Sequence, residues 1–135
     1  GIAVHNFPEG LAIGSGFMAT TELGIGLAVI IAFHNMPEGV AMATPMSIGG
    51  MSKIRVLLYT ILAGIPMGIG AFIGALLGEI SSMFIGWCLG FAGGAMLFIT
   101  CQEIIPKSRE MWKGRISGFG IIIGMICGIL LSSLI

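Results

Sequence analysis

One hexapeptide occurs twice in the chain, as HNFPEG at residues 5–10 and as HNMPEG at residues 34–39. In an α-helix, the histidine and the glutamate of each copy are four residues apart and share one face. A neutral imidazole and a carboxylate are both ligands for divalent metal ions. The proline before each glutamate removes one helix hydrogen bond. Two kinked helices with an inward polar patch at membrane depth are typical of an ion or substrate pathway.

The composition indicates a membrane protein. The chain has 135 residues, of which 56% are hydrophobic and 9% are charged, and its mean hydropathy is +1.08. An ordinary soluble domain has about 25% charged residues, so this chain cannot cover itself with water-facing side chains. The net charge of zero argues against a nucleic-acid partner. Three cysteines without CxxC spacing are interpreted as small buried hydrophobes: Cys88, Cys101 and Cys127.

Polar turns divide the chain into five apolar segments. These turns are expected at residues 19–22, 45–52, 79–82 and 106–115. The last four segments are each long enough to cross a bilayer. In lipid, an α-helix is the only structure in which a single segment satisfies its own backbone hydrogen bonds. The sequence therefore predicts an all-α, polytopic transmembrane helix bundle of five helices, forming one domain over residues 1–135.

The first segment is too short to span. Since only four residues precede His5, this helix would stop at the midplane. We expect the chain to be the C-terminal part of a longer protein, or to pair with a separate N-terminal chain.

Basic residues predict the orientation. They flank the second turn and fill the fourth. These two turns lie on one side of a five-helix bundle and should be cytoplasmic, with the C-terminus outside. The basic residues are Lys53, Arg55, Lys107, Arg109, Lys113 and Arg115. Each hexapeptide lies about ten residues, or roughly 15 Å of helix, from the first turn. Both are therefore predicted near the midplane, on adjacent antiparallel helices.

The doubled HNxPEG pattern, 29 residues apart in apolar segments, resembles the ZIP family of divalent-metal transporters, and its bacterial, GufA-like branch in particular. Two stretches of the fourth segment support the resemblance, Gly94-Ala95-Met96 and the run at residues 102–106. The family has eight transmembrane helices, and these five look like helices four to eight. Its C-terminus is outside, which agrees with the orientation expected from the charges.

The resemblance also implies metal-binding residues. The matching positions on the first two segments, followed by two exit-path positions on the fourth, are His5, Asn6, Glu9, His34, Asn35, Glu38, Gln102 and Glu103. Relatives with two adjacent metals have carboxylates where this chain has Met67 and, in some, Asn35. We therefore expect one well-formed site, made by the two histidines and two glutamates of the hexapeptides, with a second site weak or absent.

Structural alternatives remain open for several of these residues. The histidines and glutamates could form a buried hydrogen-bond network, although unpaired carboxylates at the midplane would then have to be protonated. Asn6 and Asn35 could bridge helices instead of binding metal. Glu103 could be a solvated helix end, and Met67 could pack in the core or face a soft metal.

The expected function is divalent metal transport toward the cytoplasm, and not an enzymatic activity. Zn²⁺ is the first choice of transported ion, with Fe²⁺, Mn²⁺ or Cd²⁺ as competitors. An intramembrane metallohydrolase is the first alternative, but the chain has no HExxH motif and no spare general base. The second is a membrane scaffold that does not transport.

The same interpretation predicts the partners of the chain and its location in the cell. The partners are divalent metal ions, the lipid bilayer and the missing N-terminal helices, with a homodimer left open and no nucleic acid. The location is the bacterial inner (plasma) membrane.

Overall fold

The computed structural model is a bundle of helices and describes residues 2–111 and 114–134. Lys113, one of the basic residues used to predict orientation, lies outside these ranges. The elements are α1 (Ile2–Ala19), α2 (Thr21–Ile48), α3 (Lys53–Ile80), α4 (Ser82–Ile99), a π-helical turn (Thr100–Ile104), α5 (Ile105–Met111) and α6 (Ile116–Leu134). Within the described ranges there is no strand, so the prediction of an all-α bundle is confirmed.

Four helical stretches are long and apolar enough to cross a membrane: Thr21–Ile48, Lys53–Ile80, Ser82–Met111 and Ile116–Ser133. The third of these joins α4, the π-helical turn and α5 into one continuous helix. Large hydrophobic side chains cover the outside of the bundle, for example Phe72, Phe98 and Ile123. Such a surface suits lipid, where apolar side chains carry no penalty.

The turns are tighter than the sequence predicts. The break between α1 and α2 is Thr20, whose Oγ1 accepts a hydrogen bond from the backbone N–H of Leu23 at 3.0 Å. The break between α3 and α4 is Ser81, which caps Met83 in the same way at 3.2 Å. Each hydroxyl satisfies an amide at a helix start that would otherwise lack a partner.

The two predicted loops are also shorter than expected. Helix α2 runs through Pro45 to Ile48, and the fourth helix runs through Pro106 to Met111. Proline lacks the N–H that would bond four residues back. At Pro106 the π-helical turn adjusts the pattern, because the N–H of Ile105 bonds the carbonyl of Thr100, five residues back.

Helix α1 lies at the centre, packed against α2, α3 and α4. Its contact with α3 is closest, because two glycines on each helix face the backbone of the other: Gly10 and Gly14 on α1, Gly70 and Gly74 on α3. Small residues at such crossings let helix backbones approach in a membrane. The glycine crossing thus fixes the helix that carries the first hexapeptide against α3.

Candidate metal centre

The two hexapeptides face each other across the contact between α1 and α2. His5 and Glu9 are one turn apart on α1, and His34 and Glu38 are one turn apart on α2. One ligand atom from each of the four side chains lies within 4.8 Å of the other three. The structure therefore brings together the four residues on which the single-site expectation depends.

Three of the ligand atoms form a nearly equilateral triangle. The Nε2 atoms of His5 and His34 are 3.2 Å apart, and each lies 3.3 Å from Oε1 of Glu9. The two imidazole rings stack with centroids 5.5 Å apart and planes 19° from parallel. Both rings thus present the same nitrogen to one point beside the carboxylate.

This triangle has the dimensions of a zinc site. Zinc bonds of about 2.0–2.1 Å at tetrahedral angles place ligand atoms roughly 3.3 Å apart. Glu9 is fully buried, and its Oε1 has no hydrogen-bond partner among the described residues, since the contacts with the imidazoles lack hydrogen-bond geometry. A buried carboxylate oxygen without a partner is costly in an apolar interior, and a cation bound there would remove that cost.

Asn35 lies beside the triangle, next to the carboxylates of Glu9 and Glu38. Its Nδ2 is 3.2 Å from Oε2 of Glu9 and 3.3 Å from Oε2 of Glu38 when the amide nitrogen faces the carboxylates. In the opposite orientation, Nδ2 would lie 3.8 Å from Sδ of Met67. The first orientation is favoured because hydrogen bonds to a carboxylate are stronger than those to a thioether.

Asn6 occupies the same position in the first hexapeptide but points elsewhere. Its Nδ2 donates to the backbone carbonyl of Ala63 on α3 at 2.9 Å. Its Oδ1 is buried without a hydrogen-bond partner in the described part of the chain. The contact shown is thus an interhelical hydrogen bond, the structural alternative considered for this residue.

A cleft of about 1220 Å³ is lined by residues of the cluster and by residues near the end of the continuous helix Ser82–Met111. Its walls include His34 and Glu38, Glu103 and Lys107, and apolar side chains such as Phe98. Of the two predicted exit-path residues, Glu103 lines the cleft and the exposed Gln102 does not.

Sequence reasoning missed two features of this site. Lys107 was used only to predict orientation, although its spacing of four from Glu103 would have placed both on one helix face. The carbonyl of Ala63 could not have been predicted as a partner of Asn6, because every residue has a backbone carbonyl and the residue type does not show which one accepts. Met67 lies near Asn35, but the sequence alone could not say which atom its sulfur would meet.

The fold and the site define a class: a polytopic membrane protein with a histidine and carboxylate cluster suited to a divalent metal ion. Comparison with known proteins agrees, since the family model described as ZIP zinc transporter matches residues 1–135. The chain belongs to the ZIP family, and the resemblance seen in the sequence is confirmed.

Three curated relatives illustrate the similarity. The chain is 38% identical over 131 residues to zinc transporter GufA of Myxococcus xanthus, covering 96% of this chain and 52% of that protein. It is 35% identical over 126 residues to zinc transporter ZupT of Stenotrophomonas maltophilia (strain K279a), covering 92% and 47%. It is 33% identical over 132 residues to human zinc transporter ZIP11, covering 93% and 39%. The chain thus spans about half the length, or less, of these relatives. No solved structure matches it significantly.

Proposed function

We propose that this chain forms the metal-conducting part of a divalent cation transporter, with Zn²⁺ as the preferred ion and Fe²⁺, Mn²⁺ or Cd²⁺ as weaker competitors. The observation that carries the proposal is the triangle of two imidazole nitrogens and one buried carboxylate oxygen, with sides of 3.2–3.3 Å. Family membership and the zinc transporters among its relatives support it. Nitrogen and oxygen ligands suit a borderline metal such as zinc.

In the proposed site His5, Glu9, His34 and Glu38 bind the ion. Two neutral histidines and two carboxylates would carry a formal charge of −2, which one divalent ion neutralises. Because the ion and its four ligands together carry no net charge, the site avoids the cost of an isolated charge at membrane depth. In this proposal Asn6 holds α1 against α3 and Asn35 lies beside the carboxylates, while the exit-path role of Gln102 stays a prediction.

We further propose that the ion leaves along the cleft toward Glu103. The carboxylate of Glu103, which lines the same cleft, can accept the ion as it leaves the cluster. The basic residues at that end would face the cytoplasm, following the excess of Lys and Arg in cytoplasmic loops. The C-terminus would then be outside. We also propose that the protein lies in a bacterial inner membrane and that its N-terminal helices come from further sequence or from a second chain. A homodimer is one arrangement in which it could act.

Zinc uptake into vesicles tests the proposal. The intact protein, with whatever sequence naturally flanks these residues, is reconstituted into lipid vesicles. The vesicles contain a fluorescent zinc indicator. Glu9→Gln and the double change His5→Ala with His34→Ala should abolish saturable uptake. Glu79→Gln, at the C-terminal end of α3 and away from the cluster, is the matched control and should transport normally. Normal uptake by the Glu9→Gln variant would refute the site, and a non-transporting scaffold would then be the better interpretation.

A further inference from the structure

We infer that the ammonium group of Lys107 competes with the transported ion for the carboxylate of Glu103 and so speeds release of that ion from the cleft. This inference concerns a residue outside the metal cluster, and it rests on the proposed route past Glu103. Both residues line the same cleft. Among the described residues that line it, Lys107 is the one lysine or arginine.

Lys107 and Glu103 lie on one side of a continuous helix. Glu103 belongs to the π-helical turn Thr100–Ile104 and Lys107 belongs to α5, and residues four apart on a helix have Cβ atoms roughly 5–6 Å apart. Side chains on a helix lean toward its N-terminus. The long side chain of Lys107 therefore has the direction and the length to reach the carboxylate, and glutamate before lysine is the favourable order for such a pair.

The ammonium group is free to move to and from the carboxylate. Both side chains are exposed, and the ion pairs among the described residues involve neither of them. The backbone that carries Lys107 is held more firmly, since Oγ of the adjacent Ser108 lies 2.8 Å from Oγ of Ser117 on α6. This hydrogen bond between two hydroxyls ties α5 to the next helix. The fold thus keeps a mobile positive charge at a fixed place beside the cleft.

The charge of Lys107 affects how strongly Glu103 holds a divalent ion. The ammonium repels an ion that is bound to the carboxylate, and it pairs with the carboxylate once the ion has left. For a divalent ion about 4–7 Å from the ammonium, this repulsion in water weakens binding by about 7- to 30-fold. Glu103 is therefore a place where the ion stops briefly and is not trapped.

Zinc uptake into vesicles, measured as initial rates over a range of zinc concentrations, tests the inference on the intact protein. Lys107→Gln removes the charge at an exposed position, so the fold should be retained. Because slower release lowers the maximal rate and the half-saturating concentration together, both should fall severalfold at low ionic strength. The difference from the wild type should shrink in high salt, which screens exposed charges.

Three further variants separate the charge of Lys107 from other effects. Arg109→Gln removes a positive charge from the same helix, but Arg109 is not among the residues that line the cleft, so uptake should match the wild type. Lys107→Arg keeps the charge and should restore fast release. Lys107→Gln combined with Glu103→Gln should behave like Glu103→Gln alone, because Lys107 acts through that carboxylate.

Four results would each overturn the role of Lys107. They are wild-type kinetics for Lys107→Gln, an equal fall for Arg109→Gln, a Lys107→Arg variant as slow as Lys107→Gln, and an undiminished effect of Lys107→Gln in the Glu103→Gln background. None of them would remove the transporter proposal, since zinc binding at the cluster, measured by calorimetry, should be the same in all these variants. That proposal fails instead if Glu9→Gln takes up zinc normally.

Discussion

Replacing Gly10 by alanine is expected to weaken both the helix bundle and zinc binding, whereas the same change at Gly39 is expected to do neither. The two glycines end the two copies of the hexapeptide, so the sequence gives them the same role. In the structure, Gly10 lies at the crossing of α1 and α3, while nothing lies within 4 Å of a Cβ added at Gly39 in the described part of the chain.

The size of the effect follows from the distances at the crossing. A Cβ on Gly10 would lie 2.7 Å from the carbonyl carbon of Met67 and 2.9 Å from the amide nitrogen of Ala71, where ordinary contacts begin at 3.4 Å. These are backbone atoms, so no side chain can rotate away and the helices must separate by on the order of 1 Å. Such overpacking costs about 1–3 kcal/mol. At Gly39, alanine should be neutral or should stabilise the helix by up to about 1 kcal/mol.

Metal binding should follow the same pattern. A shift of α1 carries the neighbouring Glu9 away from His34, and metal sites tolerate deviations of only about 0.2 Å. A loss of about 1.4 kcal/mol lowers affinity tenfold, so a cost of about 1–3 kcal/mol that falls on the metal-bound state should weaken zinc binding of the Gly10→Ala variant by about 5- to 150-fold.

Thermal melting followed by circular dichroism and zinc calorimetry, both on the intact protein in detergent, measure the two effects. The Gly10→Ala variant should melt at a lower temperature than the wild-type protein and bind zinc more weakly. The Gly39→Ala variant should match the wild type in both measurements. Wild-type behaviour of the Gly10→Ala variant would show that the crossing is not as tight as described. Equal damage from both changes would show that the asymmetry between the two motifs is wrong.

Three further predictions concern the path, protons and orientation. Glu103→Gln should slow zinc uptake severalfold without changing equilibrium zinc binding, because Glu103 lines the cleft but is not one of the four clustered residues; equal uptake rates would exclude a role in the path. Zinc affinity measured by calorimetry should fall as the pH is lowered, because metal ligands must be deprotonated before they bind the ion, and constant affinity would argue against the proposed ligands. In a background without the native cysteines, Glu22→Cys should react with an impermeant maleimide from outside and Glu110→Cys only after permeabilisation, and the reverse pattern would invert the proposed orientation.

The helices follow from the sequence with small errors at their ends. Apolar runs of about 20 residues can only be helices in lipid, so the five segments were predictable. The ends were not, because proline was taken as a stop signal. Pro45 and Pro106 lie inside helices, since neighbouring helices and a local π-helical turn can satisfy the backbone around a proline.

The sequence predicted that the four side chains of the hexapeptides lie together, but not how each of them is surrounded. The repeated spacing of four placed each histidine beside its glutamate, and equal depth placed the two pairs opposite each other. The sequence could not show that Glu9 is fully buried while the side chain of His34 is 45% exposed. Burial depends on which helices surround α1, and residues more than 50 positions away, such as Ala63 and Met67, decide it.

The sequence by itself determined the chemistry: a membrane helix bundle with two copies of a metal-binding pattern, because composition and spacing are local properties of the chain. The tertiary structure decided how the copies differ. Packing of α1 against α3 gives Gly10 and Asn6 structural contacts. No described residue lies within 4 Å of a Cβ added at Gly39, and Asn35 turns to the carboxylates. The physical reason is that the contacts of a side chain depend on which helices surround its own. The two nearly identical hexapeptides lie on helices with different neighbours.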